Sequence, residues 1–442
     1  MRSPFHPLIG VAALLAAAVV LLSSCGNSSG TANIRMLNVS TGYSSLDLYA
    51  SNNSNTNPSY TAQIQGTAYE VLSNYTSISS GSYSLEFRTT GSTSALATDG
   101  SESLTDGSHN LYVGYGSSGN FATLKISEDQ SSANSGYAKV TVINASEAGN
   151  VDVYLTDSTT ELVNASPVVS NMATGATSAV TVTSGNYRLR VVGTGDTTDL
   201  RADVAQVTFN STTVDSLLLT STTGGMLVNV SLVPQQGSLT TYNTAQARIR
   251  GAVGIANGTT VNATIQGANI LTNATVGVIG GIYTLVDAGS NLPVNLSVDG
   301  TAVTVPSQTL AAGADYTLLV WSNASGTQTS LISDVNTLPA NLTSKARVRL
   351  LNGMSGLADP LTLLVNFETD ATGVTLGSAS DSTSAQAEFA SGTNNEVDVI
   401  DTSTAATLSS QTTVTLNAGS VYTMFMAGGG KSSVIGTLRK DR

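Results

Sequence analysis

The sequence predicts an all-β protein built from four tandem β-sandwich domains behind a secretion signal. The first observation is a repeat: Gly81, Gly185, Gly289 and Gly392 each follow a small residue, precede an alternating strand and lie 104, 104 and 103 residues apart. The second is the absence of any stretch with the three-and-four apolar spacing of an amphipathic helix. Short segments rich in Val, Thr, Ile and Tyr, interrupted by Gly, Asn, Asp and Ser, are typical of all-β chains.

Each repeat contains three recognisable strands besides the one that the glycine precedes. The opening strand alternates basic or hydroxyl residues with aliphatic ones, the period of a half-buried strand; it is predicted at 32–38, 138–144, 247–250 and 346–352. A second strand is predicted at 46–49, 151–154, 261–265 and 361–364. An apolar strand is predicted to close each unit at 111–113, 217–219, 316–320 and 422–426.

The size of the repeat favours an immunoglobulin-like sandwich, which has about 100 residues and seven strands. Trp321 is the only Trp and Cys25 the only Cys, so the disulfide and buried tryptophan of antibody domains are missing and the likeness is one of architecture. A β-propeller would need a period of about 40 to 50 residues.

The repeat also fixes the predicted domain boundaries. We expect a signal peptide, a lipid-anchored tether and four sandwiches at 1–24, 25–31, 32–135, 136–243, 244–343 and 344–442. The polar linkers between the sandwiches are short. Since one such domain is about 33 Å across, a row of four would extend about 130 Å from the membrane. Stacking into a compact cluster with a shared cleft is the alternative.

The N-terminus predicts export and lipidation. A positive residue, Arg2, is followed by an almost unbroken apolar run over 8–22 and then by Leu22-Ser23-Ser24-Cys25, which resembles a lipobox. The run is shorter than the roughly 20 residues of a membrane-spanning helix. We expect a lipid on Cys25 to hold the protein at the bacterial outer membrane, since Gly26 stands where inner-membrane lipoproteins often have Asp. The alternatives are an ordinary signal peptide with an incidental cysteine, or a retained membrane anchor.

Composition restricts the partners. Charged residues make up 10% of the chain against a usual figure of about 25%, while the hydrophobic fraction of 40% suffices for folded cores. The net charge of −12 is spread thinly, and only 17 Lys and Arg are scattered over 442 residues. Nucleic acid binding needs clustered cations that replace counterions, so we expect no nucleic acid partner.

At this point the chain resembles domain-of-unknown-function family 4397. The resemblance rests on the opening strand followed by Asn144-Ala145-Ser146 and Val151-Asp152-Val153-Tyr154, and on Asn38-Val39-Ser40 with Leu46-Asp47-Leu48-Tyr49. The third copy departs, with Gly251 where Asn is expected, and the fourth keeps Asn352 but has Thr362 near the Asp position. The resemblance implies a sandwich fold in an exported envelope protein and implies no activity.

The residues that could carry catalysis are few. His109 is the only histidine after the signal, and it follows a predicted turn, so a Ser-His-Asp triad or a zinc site built on histidines is disfavoured. Asp196 with Asp199 and Asp398 with Asp401 could serve as paired carboxylates or calcium ligands, but no sequence feature pairs them and no calcium-loop motif is present. We therefore expect no cofactor, no metal and no enzymatic activity.

Asp47 and Asp152 are the remaining candidates, because the repeat places them alike between two apolar neighbours. They could bind a ligand on an exposed sheet face; alternatively, they point outward or accept hydrogen bonds from turn amides. The function predicted is that of a non-enzymatic envelope lipoprotein, a spacer, adhesion or binding module whose partner is an envelope glycan or protein. The alternative is a carbohydrate-binding or carbohydrate-active accessory lipoprotein.

Overall fold

The computed structural model describes residues 30–55, 57–222, 224–255, 258–380 and 388–442, and it confirms the all-β sandwich class. Strands form nearly all of its regular structure; one 3₁₀ turn occupies Leu162–Asn164. The predicted signal peptide and Cys25 lie outside the described residues. Within the described ranges, no helix combines the length and apolar character needed to cross a membrane.

The strands fall into four consecutive units, which we call units one to four. Unit one comprises β1 (Thr31–Val39), β2 (Ser45–Asn52), β3 (Thr61–Ala68), β4 (Val71–Leu72), β5 (Thr76–Ser79), β6 (Gly81–Thr89), β7 (Ala95–Leu104), β8 (His109–Tyr115) and β9 (Ala122–Ser127). Unit two comprises β10 (Tyr137–Ala145), β11 (Val151–Thr156), β12 (Val169–Met172), β13 (Thr177–Thr183), β14 (Gly185–Gly193), β15 (Asp196–Phe209), β16 (Val214–Ser221), β17 (Val228–Pro234) and β18 (Thr240–Tyr242).

The third and fourth units follow the same order. Unit three comprises β19 (Gln246–Val253), β20 (Val261–Ile265), β21 (Ala268–Ala274), β22 (Thr284–Asp287), β23 (Gly289–Leu292), β24 (Val294–Val298), β25 (Thr301–Val303), β26 (Gln308–Leu310), β27 (Asp315–Asn323) and β28 (Gly326–Ser333). Unit four comprises β29 (Lys345–Gly353), β30 (Leu361–Val365), β31 (Glu368–Val374), β32 (Glu388–Ala390), β33 (Gly392–Asp401), β34 (Thr407–Leu416), β35 (Val421–Ala427) and β36 (Ile435–Lys440).

Each unit is a sandwich of two main sheets around one apolar core, and unit three has a further two-stranded sheet, β23-β26. In the first sheet, the opening strand runs parallel to the apolar strand near the end of the unit, in the pairs β1–β8, β10–β16, β19–β27 and β29–β35. The second sheet has the orders β3-β2-β6-β7, β12-β11-β14-β15, β21-β20-β24-β25 and β31-β30-β33-β34. The repeat seen in the sequence is therefore a repeat of topology.

One expectation about the strands is wrong. The apolar strand does not close the unit, because a further antiparallel strand follows it: β9, β17, β28 and β36. Three of these four are mostly half-exposed, and β28 and β36 carry many hydroxyl or charged residues. These three strands therefore lack the apolar run from which the adjacent strand was predicted in the sequence.

The recurrent glycine has a conformational cause. Gly81, Gly185 and Gly392 are the first residues of β6, β14 and β33, with φ of +156°, +156° and +146°. Side chains with a β-carbon rarely adopt this conformation, so glycine is favoured at the turn that leads into the strand. Gly289 begins β23 without a positive φ.

The central strands of the first sheets are buried on both faces, because the units pack in pairs. One face of β1 contributes to the core of unit one, while Leu37 on the other face joins Leu111, Ile143 and Leu218 in an apolar cluster between units one and two. The same arrangement recurs between units three and four, where Ala252, Leu319, Leu351 and Phe425 share a second cluster. Sheet faces that would be solvated in a lone sandwich are thus occupied by a neighbour.

A buried network of charges accompanies the interface between units three and four. In unit three, Arg250 Nε donates to Thr317 Oγ1 at 3.0 Å, and that hydroxyl donates to Asp334 Oδ2 at 2.6 Å. In unit four, Arg349 Nε donates to Thr423 Oγ1 at 2.7 Å, and this hydroxyl in turn donates to Asp441. The two chains of contacts use equivalent positions of the repeat.

The same arginines also connect the two units. Arg250 Nη1 donates to Asp441 Oδ1 at 2.5 Å, and Arg349 Nη2 lies 3.0 Å from Asp334 Oδ1. Both arginines are at most 2% exposed, so they need this compensation by carboxylates. The reciprocal exchange fixes the register of one unit on the other.

Hydrogen bonds join unit one to unit two, and also to the segment between units three and four. Arg35 of unit one pairs with both oxygens of Glu128 and also donates to the carbonyl of Gly237, between β17 and β18 of unit two. Asn120 Nδ2 donates to the carbonyl of Pro339, between units three and four, at 3.1 Å. The four units therefore do not form the expected row in which each touches only its neighbours; the chain folds back, because its outer sheet faces are apolar enough to pack.

Candidate functional site

Asp47 lies buried between a bulge in β3 and the turn after β6 in unit one. Its Oδ1 accepts hydrogen bonds from the Gly66 N–H at 2.7 Å and the Thr90 hydroxyl at 2.9 Å, and its Oδ2 accepts one from the Gly91 N–H at 3.3 Å. Gly66 and Gly91 have positive φ, which points their amides away from the normal ladder. The carboxylate thus satisfies N–H groups that strand pairing leaves free.

Asp152 has the same role in unit two. It accepts from the Asn171 N–H at 2.7 Å and from the Gly195 N–H at 2.9 Å. In unit three, Asn262 Oδ1 accepts from the Asn273 N–H at 2.8 Å, so the repeat conserves the geometry even where the acid is replaced. The structure brings Asp47 and Asp152 to equivalent positions in separate units, not to one site, and ligand binding by them remains a hypothesis.

Most of the other candidates for chemistry have a local partner, whereas Oδ1 of Asp398 is buried without a hydrogen-bond partner among the described residues. His109 Nδ1 lies 2.9 Å from Asp129 Oδ1. Hydrogen bonds from the Thr198 hydroxyl and amide hold the pKa of Asp196 below its usual value, and the hydrogen bond from Lys431 lowers the pKa of Asp401 to about 2. In the part of the chain that the structure describes, no three His, Cys, Asp or Glu side chains lie close enough to hold a metal ion.

The structure directs attention instead to the outer face of the second sheet in unit one. Along β2, Leu48 and Ala50 point into the core, so Tyr49 between them points outward. Across the ladder, Glu86 of β6 lies opposite Tyr49, and Arg88 lies opposite Asp47. Alternation therefore brings an aromatic ring, an acid and a base to the same face.

These side chains form a cation–aromatic cluster. The Arg88 guanidinium carbon lies 4.1 Å from the ring centroid of Tyr49 and 5.8 Å from that of Tyr60, which comes from the loop between β2 and β3. Nε and Nη2 of Arg88 donate to Glu86 Oε2 at 2.9 and 2.5 Å. We call Tyr49, Tyr60, Glu86 and Arg88 the tyrosine–arginine surface. All four are partly exposed, and the arginine is held in place by its stacking and its ion pair.

Hydroxyl and amide groups continue this face toward one end of the sheet. Ser84, two residues before Glu86 on β6, donates to Asn53 Oδ1 at 2.8 Å. Asn53 Nδ2 donates in turn to Ser82 Oγ at 3.0 Å. At this end of the sheet, the side chains next to the cluster are polar and uncharged. Their hydrogen bonds hold them in a defined arrangement.

The corresponding face of unit two is covered. Tyr154 lies opposite Arg190, but the two are only 5% and 3% exposed. Arg190 Nη2 donates to Thr156 Oγ1 at 2.7 Å and to the carbonyl of Thr160 at 2.6 Å, so the loop after β11 closes over it. Units three and four have Thr264 and Leu364 at the tyrosine position. Among the described residues, the open cluster is confined to unit one.

The sequence did not predict this surface, although the motif that contains Tyr49 was recognised. The motif Leu46-Asp47-Leu48-Tyr49 drew attention to its acid, whereas the tyrosine two residues later carries the exposed group. Arg88 and Tyr60 come from other elements, and their approach depends on strand register and loop path. The signal that could have found the site is alternation: Asp47 and Tyr49 share a face, and so do Glu86 and Arg88.

Comparison with known families confirms the resemblance for one part of the chain. Residues 32–154 match the family described as Domain of unknown function (DUF4397). The match includes unit one from its second residue, β10 and the first four residues of β11, and thus the whole tyrosine–arginine surface. The family description assigns no activity.

Solved structures add only slight likenesses, and no curated protein matches the chain. A candidate cell adhesion protein from Bacteroides uniformis ATCC 8492 is 10% identical over 45% of this chain and 98% of its own, with a TM-score of 0.22. A family 26 carbohydrate-binding module of Amy13K from Eubacterium rectale, solved with maltoheptaose, is 12% identical over 48% of this chain and 96% of its own, with a TM-score of 0.14. At these scores neither bears on function.

Proposed function

We propose that this protein is a non-enzymatic binding protein of the bacterial cell envelope, anchored through a lipid on Cys25, that presents the tyrosine–arginine surface on a rigid body of four sandwiches. The observation that carries the proposal is the open cluster of Tyr49, Tyr60, Glu86 and Arg88. Partly exposed aromatic and arginine side chains are enriched at binding surfaces, because they offer large contact area with little loss of conformational freedom.

The packing between units supports the scaffold part of the proposal. Two apolar interfaces and the Arg–Asp exchange between units three and four restrict movement of one sandwich against another. A rigid body holds a binding surface in a fixed orientation and so reduces the entropy that binding costs.

The placement of the acids supports a role without catalysis. Acid–base catalysis needs titratable groups that converge on one reacting atom. Asp47 and Asp152 accept hydrogen bonds from backbone amides in different units, and His109 is paired with Asp129 elsewhere. Each of these groups is engaged in its own local structure.

The binding proposal is tested with soluble protein comprising residues 26–442. We expect it to bind the envelope fraction of bacteria that produce the native protein, and Arg88→Ala to lower that binding about tenfold through loss of hydrogen bonds to a charged group. The matched control is Arg188→Ala, which removes another ion-paired arginine, bonded to Asp203 on the second sheet of unit two. Equal binding by Arg88→Ala and the unaltered protein would contradict the proposal.

The anchor is tested separately by intact mass of protein extracted from membranes. We expect acyl chains on Cys25 and no residues from the 1–24 segment. Cys25→Ser should yield protein without acyl chains, released from the membrane where export continues. An unmodified Cys25 in the native protein would refute lipid anchoring while leaving the binding experiment unaffected.

A further inference from the structure

We propose that the tyrosine–arginine surface binds a neutral polysaccharide; this inference rests on the proposed function and names the ligand class of the same site. Three properties of the surface lead to it: its charge balance, its free hydrogen-bonding groups and its aromatic rings.

The charge balance disfavours an anionic ligand. The positive charge of Arg88 is compensated by Glu86, whose Oε2 accepts from two of its nitrogens. Asp47 lies opposite Arg88 on the neighbouring strand and adds a further negative charge. A phosphate or carboxylate would therefore meet no excess of positive charge, and a ligand without charge has the lowest desolvation cost.

The hydrogen-bonding groups left over match the hydroxyls of a sugar. Because both bonds go to Oε2, the Nη1 group of Arg88 and Oε1 of Glu86 have no hydrogen-bond partner among the described residues. One is a donor and the other an acceptor, and both belong to the ion pair. Each sugar hydroxyl is both a donor and an acceptor, so hydroxyls can accept from the first group and donate to the second.

The aromatic rings suit the apolar face of a sugar ring. A pyranose ring presents C–H groups on its faces, and these pack on apolar aromatic surface while the hydroxyls reach polar groups. Tyr49 and Tyr60 flank the guanidinium and are partly exposed. The hydroxyl and amide chain through Ser84 and Asn53 extends the surface, so that it could contact more than one residue of a polymer.

The test is affinity electrophoresis of soluble residues 26–442 in gels that contain dextran, laminarin, galactomannan or amylopectin, compared with alginate and polygalacturonate. We expect retardation by at least one neutral polymer and no stronger retardation by the polyuronates. Arg88→Ala and Tyr60→Ala should weaken binding about tenfold, as loss of a charged hydrogen bond or an aromatic contact does. Arg188→Ala, the matched ion-paired arginine of unit two, should bind as the unaltered protein does.

Several results would overturn the inference. They are an absence of retardation by all four neutral polymers, retardation by polyuronates alone, or an equal effect of Arg188→Ala and Arg88→Ala. Thermal melting followed by circular dichroism checks that each variant folds. If Arg88→Ala does not fold, Tyr60→Ala decides, since Tyr60 lies in a loop. If envelope binding depends on Arg88 while no neutral polymer binds, only the ligand class is wrong and the proposed function stands.

Discussion

A buried carboxylate can contribute to stability by satisfying backbone donors. Asp152 accepts the N–H groups of Asn171, at a bulge in β12, and of Gly195, in the turn after β14, and both residues have positive φ. These amides point away from the ladder and have no strand partner to replace the carboxylate. The residue that looked like a ligand-binding candidate therefore holds a bulge and a turn against its own strand.

Replacement of Asp152 by Ala should therefore destabilise the protein. Each buried donor left without a partner costs about 1–3 kcal/mol, so we expect a loss of at least ~2 kcal/mol in the free energy of unfolding. The measurement is urea denaturation followed by far-UV circular dichroism. Glu368→Ala, a change at an exposed carboxylate, is the control and should shift stability by less than about 0.5 kcal/mol. Equal midpoints for the two variants would argue against this role for Asp152.

At the residue scale, the sequence allowed two interpretations of Asp47 and Asp152, ligand binding or hydrogen bonding to backbone amides. It could not decide between them. The choice depends on Gly66, Gly91 and their counterparts adopting positive φ, which the sequence permits but does not require. The tyrosine–arginine surface could not be predicted from the sequence for a different reason. Which residue of β6 lies opposite Tyr49 depends on register, and a shift of one residue would send Arg88 into the core.

The recurrent glycine of the repeat gives a prediction at the scale of the element. Gly185 has φ of +156°, and a β-carbon added there would meet no other atom within 4 Å. Gly185→Ala therefore tests backbone conformation without a steric clash, and we expect a loss of about 1–3 kcal/mol. Gly289, its counterpart in unit three, has no positive φ, and an added β-carbon there would lie 3.3 Å from the flexible end of Leu292. Chemical denaturation should show a smaller loss for Gly289→Ala; the reverse order would refute the conformational explanation.

At the same scale, the strands with strong alternation were predictable and the polar ones were not. The opening strand at 346–352 is found as β29 (Lys345–Gly353), and the second strand at 261–265 is found as β20 with the same bounds. The strand β28 was missed, because its Thr, Ser and Gln residues are half-exposed and give no apolar period. Its place in the sheet comes from hydrogen bonds to β27, a tertiary property that local pattern does not contain.

The interface between units three and four should make the stability of the protein depend on pH, because it contains the buried carboxylate of Asp441. Burial disfavours the charged form of Asp441, but attraction by Arg349 and Arg250 and hydrogen bonds from Arg250 and Thr423 outweigh it and hold its pKa below the usual value. A carboxylate with a depressed folded-state pKa stabilises the protein fully above its unfolded value of about 3.9. That contribution is lost as the pH falls through the lower folded-state value.

Asp441→Asn should therefore lower stability at pH 7 and flatten its acid dependence. Removal of one partner from a buried ion pair costs about 3–5 kcal/mol. We expect the unaltered protein to lose urea resistance between pH 4 and pH 2 more steeply than the variant does. Asp157→Asn, at an exposed aspartate of unit two, is the control and should follow the unaltered profile. Parallel profiles for Asp441→Asn and the unaltered protein would show that the interface pair does not titrate as inferred.

The sequence could not predict that the units fold back on one another, since this depends on which sheet faces meet. Outward apolar residues such as Ile143 look like ordinary strand positions until a second sandwich covers them. The arrangement has a measurable consequence in solution. A single compact body of this size has a radius of gyration of about 22 Å, whereas a thin row about 130 Å long would have about 38 Å.

Small-angle scattering on residues 26–442 should give a radius of gyration nearer that of the compact body, about 22 Å. A charged side chain placed between units one and two should increase this radius. Ile143 is fully buried in that interface, so Ile143→Asp would bury an unpaired carboxylate unless the two units separate. Separation exposes the carboxylate to water at the cost of the apolar contact, and we expect the radius of gyration to rise while the β signal in circular dichroism persists. Val163→Asp makes the same kind of change at a side chain that is 79% exposed and should leave the scattering unchanged. An unaltered protein that scatters like the long row, or an Ile143→Asp variant that keeps its dimensions while folded, would show that this apolar cluster does not hold units one and two together.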